Sequence, residues 1–176
     1  AHIKDILSYL RVILNPVDEI SWKRVLKLIP GIGNATALKI YRAITRSGNP
    51  LEAIFTVSDL VPKKSMDAFL LFLNAVKSVV NHEMITPTAA IETIMANGYE
   101  QHLFNTYPNA ESRVEDIAQV SQYAANYASV ADFISDLSLQ SAAVELMENT
   151  EPVDDAVVLS SVHQAKGLEW RHVIVI

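Results

Sequence analysis

Leu28-Ile29-Pro30-Gly31-Ile32-Gly33-Asn34-Ala35-Thr36-Ala37-Leu38-Lys39-Ile40 is the stretch around which the rest of the sequence is organised. Pro30 fixes φ just before a turn. Gly31 and Gly33 allow positive φ and leave no Cβ between the backbone and whatever approaches it. Asn34 suits the N-cap of a helix, and Ala37, Ile40, Tyr41 and Ile44 then recur at helical spacing. Free amides at such a helix start, beside a glycine turn, attract an anion such as a phosphate.

Helical periodicity extends in both directions. Ile3, Ile6, Leu7, Leu10, Ile13 and Leu14 predict an amphipathic helix over 2–14, ended by Asn15-Pro16. Ile20, Trp22, Val25, Leu26 and Ile29 predict a second, with Asp18 and Glu19 at its favourable acidic end. The helix from Asn34 runs to about Arg46, where Ser47-Gly48-Asn49-Pro50 stops it. Further helices are expected over 51–56, 63–81, 99–107 and 110–126, with 58–62 as a connector. Thr86-Pro87 starts another, which ends at Asn97-Gly98. Ser129 and Asp132 form a short capping box for a last helix that breaks near Ser138 and resumes to Met147. No strand is expected before residue 149.

Composition bounds the function. The 176 residues suffice for one domain or slightly more, and half are hydrophobic, enough for a sizeable core. The absence of cysteine excludes disulfides, thiolate metal sites and cysteine nucleophiles, and fits a cytoplasmic setting. No apolar run is long enough to span a membrane and no signal-peptide layout is present, so no membrane partner is expected. Five histidines and twenty acids make chance neighbours, so no metal site is inferred. Both ends read as cut from a longer chain.

Net charge is −6, but its distribution is uneven. Residues 1–46 carry eight Lys and Arg against three Asp and Glu; the remainder carries six against seventeen. Lys23, Arg24, Lys27, Lys39, Arg42 and Arg46 gather around the glycine turn, as a surface that steers a phosphate backbone requires. The turn resembles a helix-hairpin-helix, a motif that holds DNA phosphates without reading bases. Read from the residues alone, a close-packed turn between two helices with solvated charges remains the other option.

After Asn149 the character changes. Residues 149–156 are acidic and contain Pro152, as a linker would. Val157-Val158-Leu159 and Val173-Ile174-Val175-Ile176 are β-branched runs, suited to strands of a parallel sheet buried on both faces. Between them, Ser161-Val162-His163-Gln164-Ala165-Lys166-Gly167-Leu168-Glu169-Trp170 resembles motif V of the UvrD/Rep/PcrA-like superfamily 1 DNA helicases. That motif runs Thr-x-His-x-x-Lys-Gly-Leu-Glu followed by Phe or Trp; Ser161 stands where Thr is usual. His2 to Arg11 is similar to the segment leading into the family's helical accessory domain, called 2B. Leu28 to Ile40 is similar to that domain's Gly-Ile-Gly duplex-binding motif, and Ser112-Arg113-Val114-Glu115-Asp116-Ile117 to its Arg-x-Glu-Asn/Asp-Ile/Leu segment.

The resemblance implies a mostly α, bundle-like 2B-type domain over 1–148, a linker over 149–156, and over 157–176 a short β segment of the RecA-like α/β domain 2A. It implies duplex contacts at Gly31, Ile32, Gly33, Thr36, Lys23, Lys27 and Lys39. Ser161 and His163 would face single-stranded DNA, and Gly167 and Glu169 would face ATP. Lys166 is equally a surface charge, and Trp170 is read as packing. The parent would use ATP and Mg²⁺ and would join this chain to domains 1A, 1B and the rest of 2A, with repair or replication proteins as further partners. No G-x-x-x-x-G-K-[ST] loop is present and the motif VI arginine would lie beyond Ile176, so no catalytic residue is assigned and no bound cofactor is expected here. A regulatory or protein-docking module with little DNA binding of its own is the alternative, supported by the acidic remainder. A free-standing helix-hairpin-helix protein is a third option, and the truncated strand at Ile176 counts against it.

Overall fold

The structure is a computed structural model that describes residues 1–80, 85–149 and 172–174. The chain divides into two units, Ala1–Leu139 and Gln140–Ile176. Among the described residues the regular structure is helical: α1 (His2–Leu14), α2 (Glu19–Lys27), α3 (Asn34–Thr45), α4 (Pro50–Ala53), α5 (Met66–Val80), α6 (Pro87–Ile94), α7 (Glu100–Thr106), α8 (Ala110–Ala124) and α9 (Val130–Asn149). The mostly α expectation is therefore met. The expected β segment and linker lie outside the described residues, apart from Asn149 and residues 172–174.

The sequence sets these boundaries through recognisable local chemistry. The Asp18 carboxylate accepts from the Ser21 amide at 3.0 Å and from the Ser21 hydroxyl at 2.7 Å, which starts α2. Thr86 Oγ1 accepts from the Ala89 amide at 3.2 Å, and Pro87 follows where its missing N–H does no harm. Beyond α6 the chain makes a wide turn through Met95–Tyr99, in which Gly98 takes φ +103°. Asn97 Nδ2 donates to Thr93 O at 2.8 Å, closing the helix that Asn97-Gly98 was expected to end. Ser129 Oγ accepts from the Asp132 amide at 3.1 Å, so the expected cap forms.

Two expectations are corrected. Gly33, not Asn34, occupies the cap of α3, because its extended conformation (φ −93°, ψ −176°) already lets its carbonyl accept from the Ala37 amide at 2.9 Å. The last helix does not break at Ser138. The Ser138 hydroxyl donates to Ile134 O at 2.8 Å, one turn back, which leaves the helical path intact.

The core of the first unit forms where α1, α2, α5, α6 and α8 meet. α1 packs on α2, α5, α6 and α8, while α6 packs on α5 and α8. Trp22, Phe69, Phe72 and Tyr9 lie at its centre, with Trp22 and Phe72 edge-to-face at 6.4 Å. The Trp22 indole donates to Pro16 O at 2.8 Å, so the turn after α1 is fastened from inside. At the other end of α1, His2 sits between Arg113 and Asp116 of α8. Arg113 Nη1 lies 2.8 Å from Nδ1, and Asp116 Oδ2 lies 2.9 Å from Nε2. A guanidinium can only donate, so Nδ1 accepts and the ring proton sits on Nε2, close to Asp116 but not aligned on it. Two of the sequence segments singled out above, around His2 and Arg113, are thus in contact.

Candidate nucleic-acid interface

The glycine turn is an anchored connection between α2 and α3. Ile29 and Ile32 are both 4% exposed, and the Ile32 amide donates to Ile29 O at 3.0 Å. Ile32 therefore holds the turn to the core, and its amide is already engaged. Among the described residues no acceptor meets the amides of Gly31, Gly33, Asn34, Ala35 or Thr36. α3 also has no side-chain cap and no acid in its first turn, unlike α2. Its positive end is thus left to solvent.

The two glycines differ in kind. Gly31 has φ +87°, and a Cβ there would lie 2.6 Å from Ser65 Oγ. Conformation and packing both demand glycine at this position. Gly33 has an ordinary φ of −93°, and a Cβ there would meet nothing within 4 Å. Nothing within the fold requires its missing side chain, and the space in front of its backbone is open.

The six cations around the turn fall into two groups. Lys27, Lys39, Arg42 and Arg46 are exposed. Lys23 is paired with Glu19 at 3.1 Å. Arg24 turns inward: its Nε donates to Asp5 Oδ1 at 2.6 Å and its Nη2 to Ala1 O at 3.1 Å. Asp5 is 3% exposed and also accepts from the Tyr99 hydroxyl at 2.8 Å. Burial and the Asp5 charge push the Tyr99 hydroxyl well above the usual tyrosine range, and Tyr9 likewise. Arg24 is thus a fold residue. Thr36 is half-buried in the first turn of α3.

Sequence reasoning passed over two other sets of residues at this site. A groove of about 490 Å³ runs along Lys27 to Gly33, and its far wall is His102 and Thr106 of α7. His102 stacks on Tyr99 at 5.7 Å. Burial lowers its pKa, against the opposing pull of Asp5 and the Leu28 backbone. Lys64 and Ser65, before α5, also reach Gly31. Their signal was available: Val61-Pro62-Lys63-Lys64-Ser65 repeats the apolar-Pro-turn layout of Ile29-Pro30-Gly31-Ile32-Gly33. Ser161, His163, Gly167 and Glu169, with Lys166 and Trp170, lie outside the described residues.

The whole chain, residues 1–176, matches the UvrD-like helicase C-terminal domain, and the protein belongs to that family. Three relatives make the match concrete. The chain is 27% identical to the ATP-dependent DNA helicase Rep of Escherichia coli (strain K12), over 99% of this chain and 28% of the relative. It is 27% identical to the ATP-dependent DNA helicase PcrA of Staphylococcus aureus (strain Mu50 / ATCC 700699), over 98% of this chain and 25% of the relative. It is 28% identical to PcrA of Bacillus subtilis (strain 168), over 96% and 25%. The chain therefore spans about a quarter of the length of the curated relatives it matches. No solved structure gives a significant match. Among the described residues no helix is long and apolar enough to cross a membrane.

Proposed function

We propose that residues 1–148 are a 2B-type accessory domain of an ATP-dependent 3′-to-5′ DNA helicase, one that grips duplex DNA by its backbone. The observation that carries this reading is the open front of Gly33 at the uncapped start of α3, with exposed Lys27 and Lys39 nearby. The amides of Gly31, Gly33 and the first turn of α3 would meet one phosphate, with Thr36 beside them. Ile32 would serve as the anchor, and Lys27, Lys39 and the partly exposed Lys23 would meet flanking phosphates. Only backbone is touched, so the grip is independent of base sequence. Residues 149–156 would link this domain to a motif V segment of domain 2A, where Ser161 and His163 face single-stranded DNA and Gly167 and Glu169 face ATP. ATP with Mg²⁺ would supply the free energy that moves the motor domains. The names of the relatives, all ATP-dependent DNA helicases, support this assignment.

The test is Gly33→Val in the intact protein, measured against a fluorescent duplex and a matched single strand in a salt series. Duplex binding should weaken about tenfold while single-strand binding and thermal stability hold. Unchanged duplex binding would sink the reading and leave the turn as packing.

A further inference from the structure

The Gly31 turn has a second wall whose chemistry the fold does not use. Ser65 is 1% exposed, and its hydroxyl has no hydrogen-bond partner among the described residues. Its amide, by contrast, donates to Pro62 O at 2.8 Å. A buried hydroxyl without a partner is destabilising, so its retention needs an explanation. It stands directly over the Gly31 backbone, 2.6 Å from where a Cβ would be. Lys64 lies across the same spot, its Cε 3.0 Å from that position. The ion pairs among the described residues involve His2, Lys23 and Arg24, so Lys64 has no acid holding it there. Ser65 also immediately precedes α5, a fifteen-residue helix whose positive end starts beside the turn.

We propose that Lys64 and Ser65 are the second arm of the phosphate site at Gly31, so that one DNA phosphodiester is held between two turns rather than by the glycine turn alone. The inference rests on the duplex-gripping reading above and deepens it. The Lys64 side chain, which lies beside the exposed Gly31 backbone, places its ammonium on the phosphate next to the Ser65 hydroxyl. That hydroxyl donates to one phosphate oxygen while the Gly31 amide donates to another. Exposed Lys63 lies on the flank and can meet the next phosphate.

The experiment compares Lys64→Ala, Lys64→Arg, Ser65→Ala and Gly33→Val in the intact protein, using a mixed-sequence fluorescent duplex over a salt series, with thermal unfolding of each. Lys64→Ala should weaken duplex binding about three- to tenfold at low salt and reduce the slope of log K against log salt by about one. Lys64→Arg should keep the slope. Ser65→Ala should weaken binding about threefold with a melting temperature that is unchanged or higher. Wild-type affinity and slope in Lys64→Ala and Ser65→Ala, with binding lost in Gly33→Val, would reject the second arm and keep the glycine-turn reading. Wild-type binding in Gly33→Val as well would reject both. If Ser65→Ala lowers the melting temperature together with binding, Ser65 is structural and the second arm as proposed is overturned.

Discussion

Arg24 Nε donates to Asp5 Oδ1 at 2.6 Å, which binds α2 to α1 and commits one cation of the basic segment to a partner within the fold. Asp5 is almost fully buried, so Arg24→Ala would leave its carboxylate with Tyr99 as its remaining side-chain donor. A hydrogen bond to a buried charge contributes about 2 kcal/mol, and a loss of that order is expected in urea unfolding. Duplex affinity should change little. Lys27→Ala should do the reverse, with unchanged stability and a duplex affinity that falls and loses about one unit of salt slope.

The two glycines should separate in the same way. Gly31→Ala forces a side chain into the left-handed region, at about 1–2 kcal/mol, and against Ser65 Oγ as well. We expect a loss of about 2 kcal/mol or more. Gly33→Ala meets open space at an ordinary φ and should stay within about 0.5 kcal/mol of wild type. Equal destabilisation by both in thermal melts would contradict the geometry of the turn.

High pH should unfold the protein through Tyr9 and Tyr99. Both hydroxyls are raised by burial and by Asp5 above the ordinary value near 10. In the unfolded chain they release their protons near pH 10, whereas in the folded chain they keep them. Their stabilising contribution is complete below pH 10 and is lost as pH climbs further. Absorbance at 295 nm should show a fraction of the tyrosines, Tyr9 and Tyr99 among them, ionising only together with loss of helical circular dichroism. Tyr9→Phe should shallow the fall in stability between pH 10 and 11.5.

Acid should act through His102, whose imidazole is lowered by burial. A lowered group contributes stability that is present above its unfolded pKa of about 6.5 and is lost as pH falls below it. Urea midpoints should therefore drop between pH 6.5 and 5, and His102→Gln should remove part of that drop. An identical drop in the variant would assign the acid sensitivity elsewhere.

The helices were legible because their signals are local: a period of 3.6, Asp18 and Thr86 as caps, Asn97-Gly98 as a stop. The turn's glycines were legible as a pair, but not that one serves the fold and the other faces solvent. That distinction depends on Ser65, thirty-four residues away in sequence. Arg24 looked like its neighbours in charge, and only the packing of α1 on α2 shows that it points at Asp5. Lys64 and Ser65 reach the site from the turn before α5, and His102 from α7, and no short-range pattern encodes that approach.

The burial of Ile32 has a thermodynamic consequence. A turn pinned to the core by its central side chain has little conformational freedom to lose when a ligand arrives. Association at this turn should carry a small heat-capacity change and depend little on loop ordering, with its strength set by ions released from the partner. Under the proposed function, such a contact would form and break many times without the domain rearranging, as a grip on a moving track requires.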